Sequence, residues 1–174
     1  MKAQPRMNVT SENFPQFLDS LARTPVTIAE LVEGLSDSRS RAKDSADEFS
    51  IVENVCHLRD IEIEGYTVRI KRILGEAKPT LADIDGSRLA VERNYNDQSA
   101  NQALREFQSA RLANVEVLRG VDEEQLSREG VLEGVGTITL QKLLSMMRDH
   151  DEDHLSEIRI LRRRLNSTLN DSAD

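Results

Sequence analysis

Tryptophan is missing from this 174-residue chain and aromatics make up only 3% of it, so Leu, Ile and Val must supply most of the buried surface. That scarcity favours helix packed on helix over a β-sandwich. The single cysteine, Cys56, excludes an internal disulfide, and the N-terminal residues lack the basic-then-apolar order of a secretory signal. A cytoplasmic location is the resulting expectation. No uninterrupted apolar run reaches the length of about 20 residues that a helix needs to cross a bilayer, so no membrane partner is expected. An excess of positive charge is also lacking: 23 Lys and Arg against 31 Asp and Glu leave a net charge of −8, which repels phosphate backbones and disfavours nucleic acid as a partner.

What is present is 31% charged and 38% hydrophobic residues, the balance of amphipathic helices that each bury one face. The length fits one domain with a sizeable core. Residues 1–10 are expected to form a flexible leader, 11–166 a helical bundle and 167–174 a flexible tail. Phe14, Phe17, Leu18 and Leu21 mark a first helix, which Thr24-Pro25 either kinks or breaks before Ile28, Leu31, Val32 and Leu35. Residues 36–48 read as a solvated connection. Ser50-Ile51-Val52-Glu53 is a capping box, opening a long helix that Gly75 and Pro79 stop, with Ile51, Val55, Leu58, Ile61, Val68 and Ile73 as its apolar positions. Residues 80–97 make a connection long enough to run the length of a bundle, packed through Leu81, Ile84, Leu89, Val91 and Tyr95. A third helix is expected over 99–119, one further turn at 122–126, and a turn or hairpin over 127–136. Thr139 then caps a last helix, from Leu140 to about Leu165.

On a helical wheel at about 100° per residue, Leu140, Leu143, Leu144, Met147, Ile158, Leu161 and Leu165 form one stripe. His150 and His154 fall inside it with Asp151 beside them, a polar island in a core-facing seam. A buried imidazole costs free energy unless something satisfies it. One reading gives each histidine a carboxylate or backbone partner, and a metal-free bundle with histidine as core filler stays open. The other reading is a metal: the i, i+4 spacing presents two rings to one ion, and His57, at the edge of the stripe on the helix that Ser50 caps, supplies a third. Three neutral imidazoles suit Zn²⁺, Ni²⁺, Fe²⁺ or Co²⁺ and leave a coordination position open, which suggests chemistry. Asp151 and Asp153 are near enough in sequence to orient the rings, although Asp149, Glu152 and Asp153 read better as the solvated face. Cys56 turns away by about 100° and reads as a buried structural residue. Tyr66 and Arg111 remain open candidates for facing a pocket.

Phe49-Ser50-Ile51-Val52-Glu53-Asn54-Val55-Cys56-His57-Leu58-Arg59-Asp60, followed by Gly136-Thr137-Ile138-Thr139-Leu140 and His150-Asp151-Glu152-Asp153-His154-Leu155, resembles the motif order of the DinB/YfiT-like bundles. Phe49 stands where that family often has Trp. The resemblance implies an all-α, up-and-down four-helix bundle with a long crossover, often a homodimer, holding one divalent metal through residues that match His57, His150 and His154. It further implies a metal-dependent enzyme of the thiol-dependent transferase or isomerase type, acting on a small molecule with a low-molecular-weight thiol. Glu53 or Asp151 would assist proton transfer. The alternative is a non-catalytic, stress-related metal-binding or interaction protein.

Overall fold

The structure, a computed structural model, describes residues 13–170 except 44, 46 and 47. The leader expected over 1–10, and residues 171–174 of the expected tail, lie outside the described residues. Helix α1, Phe14–Val32, runs through Pro25 without a break. Proline has no N–H to offer the Leu21 carbonyl one turn back. The Arg111 guanidinium takes that role instead, with Nη1 donating to the Leu21 oxygen at 3.0 Å. A single turn, α2, Asp37–Ser40, interrupts the stretch that reads as a plain connection, because the Ser36 hydroxyl accepts from the Arg39 N–H and caps it.

The second long helix is built from α3, Ile51–Asp60, a π-helical segment, Ile61–Tyr66, and α4, Thr67–Gly75. Its capping box is formed as expected: Ser50 Oγ accepts from Glu53 N at 3.1 Å and Glu53 Oε2 accepts from Ser50 N at 2.7 Å. The expectation fails at Val68, which is 44% exposed while Arg69, Ile70 and Ile73 are buried. A π turn holds more residues than an α turn, so positions beyond it fall out of phase with a stripe extrapolated at 3.6 residues per turn.

The crossover contains β1, Thr80–Leu81, helix α5, Gly86–Glu92, and a 3₁₀ turn, Tyr95–Asp97. Asp85 caps α5 by accepting from the Arg88 N–H. Leu81, Leu89 and Tyr95 are buried against the helices, and the Tyr95 hydroxyl donates to Asp60 Oδ2 at 2.6 Å. Val91, expected to pack, is instead 77% exposed, since one face of a short surface helix must meet solvent. Helix α6, Ala100–Arg119, precedes the single turn α7, Glu123–Leu126, and the hairpin β2, Glu129–Leu132, with β3, Gly136–Thr139. β2 pairs antiparallel with β3 and parallel with β1. Helix α8, Leu140–Asn170, starts at Thr139, whose hydroxyl accepts from the Lys142 N–H, and continues past Leu165.

Helix α1 packs on α6 and α8, and α3 packs on the same two. The first and second long helices therefore face each other across the bundle, and α3 lies beside α8. Two apolar clusters fill the interior. One holds Phe17, Leu21, Ile70, Leu118, Leu143 and Met147; the other holds Ile28, Val55, Leu58, Phe107, Leu155 and Ile158.

A polar layer lies between them. At its centre Arg111, 1% exposed, donates from Nε and Nη2 to the two Glu62 oxygens, both at 2.9 Å, and from Nη1 and Nη2 to Asp151. Thr24 Oγ1 donates to Asp151 Oδ2 at 2.8 Å and Asn114 Nδ2 to Glu62 Oε1 at 2.7 Å. The π segment presents Glu62 to this layer.

Candidate metal centre

The contact between α3 and α8 brings the three histidines together. Ring centroids lie 5.1 Å apart for His57 and His150, and 4.6 Å apart both for His57 and His154 and for His150 and His154. Each offers one nitrogen, and these nitrogens all fall within 4.8 Å of one another. The Nε2 atoms of His57 and His150 are 3.0 Å apart, a separation that adjacent ligands can take around an ion bound at about 2.0–2.1 Å.

His154 is held from behind. Asn54 Nδ2 donates to the Ser50 carbonyl at 3.0 Å, which leaves Asn54 Oδ1 to accept from His154 Nδ1–H at 2.7 Å. With its proton fixed on Nδ1, His154 turns the Nε2 lone pair to the cluster. A Glu157 oxygen lies 3.4 Å from the same Nδ1. For this histidine the reading of an ordinary hydrogen-bond partner holds.

It fails for the other two. The Nδ1 atoms of His57 and His150 are buried and have no hydrogen-bond partner among the described residues, and the polar contact each ring makes is to the other's Nε2. Burial, reinforced by the charge of His154, pushes His57 down to about 4. Burial and the charges of His154 and His57 push His150 down to about 2. Both are therefore neutral at pH 7, the form in which imidazole binds a metal. Three imidazole nitrogens brought together, two of them on neutral rings, fit a divalent ion of borderline softness.

These depressed values carry a pH signature for metal-free protein. An unfolded histidine takes up its proton near pH 6.5 while the folded His57 does so near 4, so the unfolded state binds more protons between those limits. The stability is complete above about pH 6.5 and falls as the pH drops toward 4, by about 3 kcal/mol for His57. Chelator-treated protein should melt lower at pH 5 than at pH 7, with a shallower dependence in His150→Ala; a flat profile would contradict the burial of these rings.

The carboxylates singled out in the sequence have other partners. Both Asp151 oxygens are engaged by Arg111, with Thr24 adding to one. Glu53 closes the capping box and receives Lys43 Nζ at 3.0 Å. Glu152 and Asp153 are exposed, as their solvated-face reading predicts. Cys56 is fully buried, and burial raises its thiol to about 11, so it acts as a core residue. Sequence reasoning missed Asn54 and Glu157. The signals were an amide in the middle of an otherwise apolar α3 face and a carboxylate three residues after His154.

Beside the cluster lies a cavity of about 390 Å³, lined by Phe49, Ser87, His154, Glu157, Leu161 and Arg164. The Phe49 ring stands 5.6 Å from that of His57.

Fold and site together define a class: four-helix bundles whose second and fourth long helices gather three histidines next to a cavity. The chain belongs to the DinB superfamily, whose sequence model matches residues 20–158. Its fold is that of YfiT from Bacillus subtilis, described as a probable metal-dependent hydrolase with an unusual four-helix bundle topology. The TM-score is 0.84 at 22% identity, over 95% of this chain and 94% of that one. No curated protein is significantly similar to the chain. Among the described residues no helix is long and apolar enough to cross a membrane.

Proposed function

We propose that this protein is a metal-dependent enzyme in which His57, His150 and His154 hold one divalent ion, Zn²⁺, Ni²⁺ or Fe²⁺, that activates a thiol for transfer to a small electrophile. The observation that carries the reading is the cavity of about 390 Å³ with His154 in its wall, since a purely structural metal site is closed on all sides. When bound, the ion supplies Lewis acidity and brings the pKa of a thiol or water toward neutrality.

The chain's own residues do the rest. His57 and His150 are already neutral at pH 7, and Asn54 keeps the proton of His154 on Nδ1. Glu157, whose hydrogen bond with His154 holds its carboxyl below the usual range, is ionised at neutral pH and lines the cavity. It is better placed than Glu53 or Asp151 to accept a proton from an entering nucleophile. Phe49 and Leu161 offer apolar walls, and Arg164, paired with Glu48 at 3.4 Å, adds a charged wall to the same cavity. A homodimer is part of the proposal and is read by light scattering on the eluting protein.

The description of YfiT as a probable metal-dependent hydrolase supports a second reading, with water in place of the thiol. Metal-loaded protein should turn over electrophilic acceptors only when a low-molecular-weight thiol is present, and chelator should stop it. Ester or amide cleavage without thiol favours the hydrolase. No metal-dependent turnover in either assay rejects both and leaves a non-catalytic metal-binding role.

A further inference from the structure

His154 has a hydrogen bond to fix its ring, but His57 has none at Nδ1. What meets that edge of the His57 ring is the crossover backbone. A Cβ built on Gly86 would lie 2.2 Å from His57 Cε1 and 2.5 Å from Nδ1, far inside van der Waals contact. Gly86 is the first residue of α5, just after its Asp85 cap, and its φ is not positive, so backbone conformation does not call for glycine there. Neither does helix propensity, which favours alanine by about 1 kcal/mol in a helix interior. The close approach to His57 is what does. The Phe49 ring also packs near the imidazole, tilted by 55° at 5.6 Å between centroids. The imidazole is thus held by shape where its neighbour is held by a hydrogen bond.

We infer that Gly86 is a positioning residue of the centre: its bare Cα lets α5 close on the Nδ1–Cε1 edge of His57 and so turns Nε2 toward His150. The inference rests on the metal-centre reading for its consequence, not for the contact itself. The crossover, which carries no ligand, thereby sets the orientation of one.

In metal-free protein, Gly86→Ala should move the His57 imidazole ¹⁵N resonances while those of His154 stay in place. Its affinity for Zn²⁺, read by competition with a chromophoric chelator, should fall at least tenfold. Gly75→Ala, at the exposed end of α4 with nothing near its Cβ, should change neither. A melting-temperature cycle covers the case of a poorly folded variant: Gly86→Ala should lower the wild-type melting temperature but have little effect in a His57→Ala background, where the ring is gone. Equal losses in both backgrounds, or unmoved His57 resonances, would overturn the inference. Wild-type protein that binds no Zn²⁺ would reject the metal-centre reading, while the resonances and the cycle would still decide the role of Gly86.

Discussion

Replacing His154 with alanine will lower the affinity for Zn²⁺ or Ni²⁺ by about a hundred- to a thousand-fold while leaving the chain helical. The magnitude follows from the binding free energy of a four-ligand structural zinc site, about 10–16 kcal/mol, of which one ligand's share is about 3–4 kcal/mol. The retained fold follows from the surroundings: Asn54 loses one hydrogen bond, while Leu155 and Ile158 on the same helix stay packed. Wild-type protein at a metal concentration a thousand times its Kd gains about 4 kcal/mol, on the order of 10 °C in melting temperature. The variant, at the same metal concentration only about 1–10 times its own Kd, should keep about 0.4–1.4 kcal/mol of that gain, a third of the rise at most. Calorimetry and circular dichroism on the same samples test both halves. Loss of helicity would mark His154 as a structural residue, and an undiminished metal response would remove it from the centre.

The largest effect on stability belongs to Arg111. Arg111→Met keeps most of the volume but strands Glu62 and Asp151, 0% and 2% exposed, as buried carboxylates without a cation. Breaking such a pair from one side costs about 3–5 kcal/mol, or on the order of 10 °C for a chain of this length. Burial already pushes the Glu62 carboxyl above its usual range, against the pull of Arg111, so removing the guanidinium drives it further toward the protonated form. The deficit should therefore shrink when Glu62→Gln and Asp151→Asn accompany Arg111→Met. A single variant as stable as wild type would mean that the carboxylates reach water.

The candidate ligands were legible because their signal is local. Two histidines at i, i+4 on an apolar stripe, and a third seven residues after the Ser50 cap, can be read without knowing how helices pair. The Ser50–Glu53 box and the Thr139 cap were legible for the same reason. The Arg111 layer is not: Glu62, Arg111 and Asp151 are 49 and 40 residues apart in sequence, and nothing in the local pattern of any one of them names the other two as its partners. Asp151, offered as a proton carrier because it adjoins His150, belongs to that layer instead. The π segment was hidden too, since Ile61–Tyr66 also fits α-helical spacing, and the error surfaced downstream at Val68. The sequence around Pro25 does not decide between kink and break, because the group that satisfies the freed Leu21 carbonyl lies on α6.

That last detail reaches beyond α1. A single guanidinium is bonded to the carbonyl that Pro25 frees on α1, to Glu62 on the second long helix and to Asp151 on α8, while itself belonging to α6. No long helix can peel away without stranding a charge or a carbonyl in the interior. Partial opening near the middle of the bundle is penalised accordingly, and the four helices are tied into one cooperative unit whose most protected amides exchange through a shared opening. His150, next in sequence to Asp151, thus stands directly against the layer that ties the helices together.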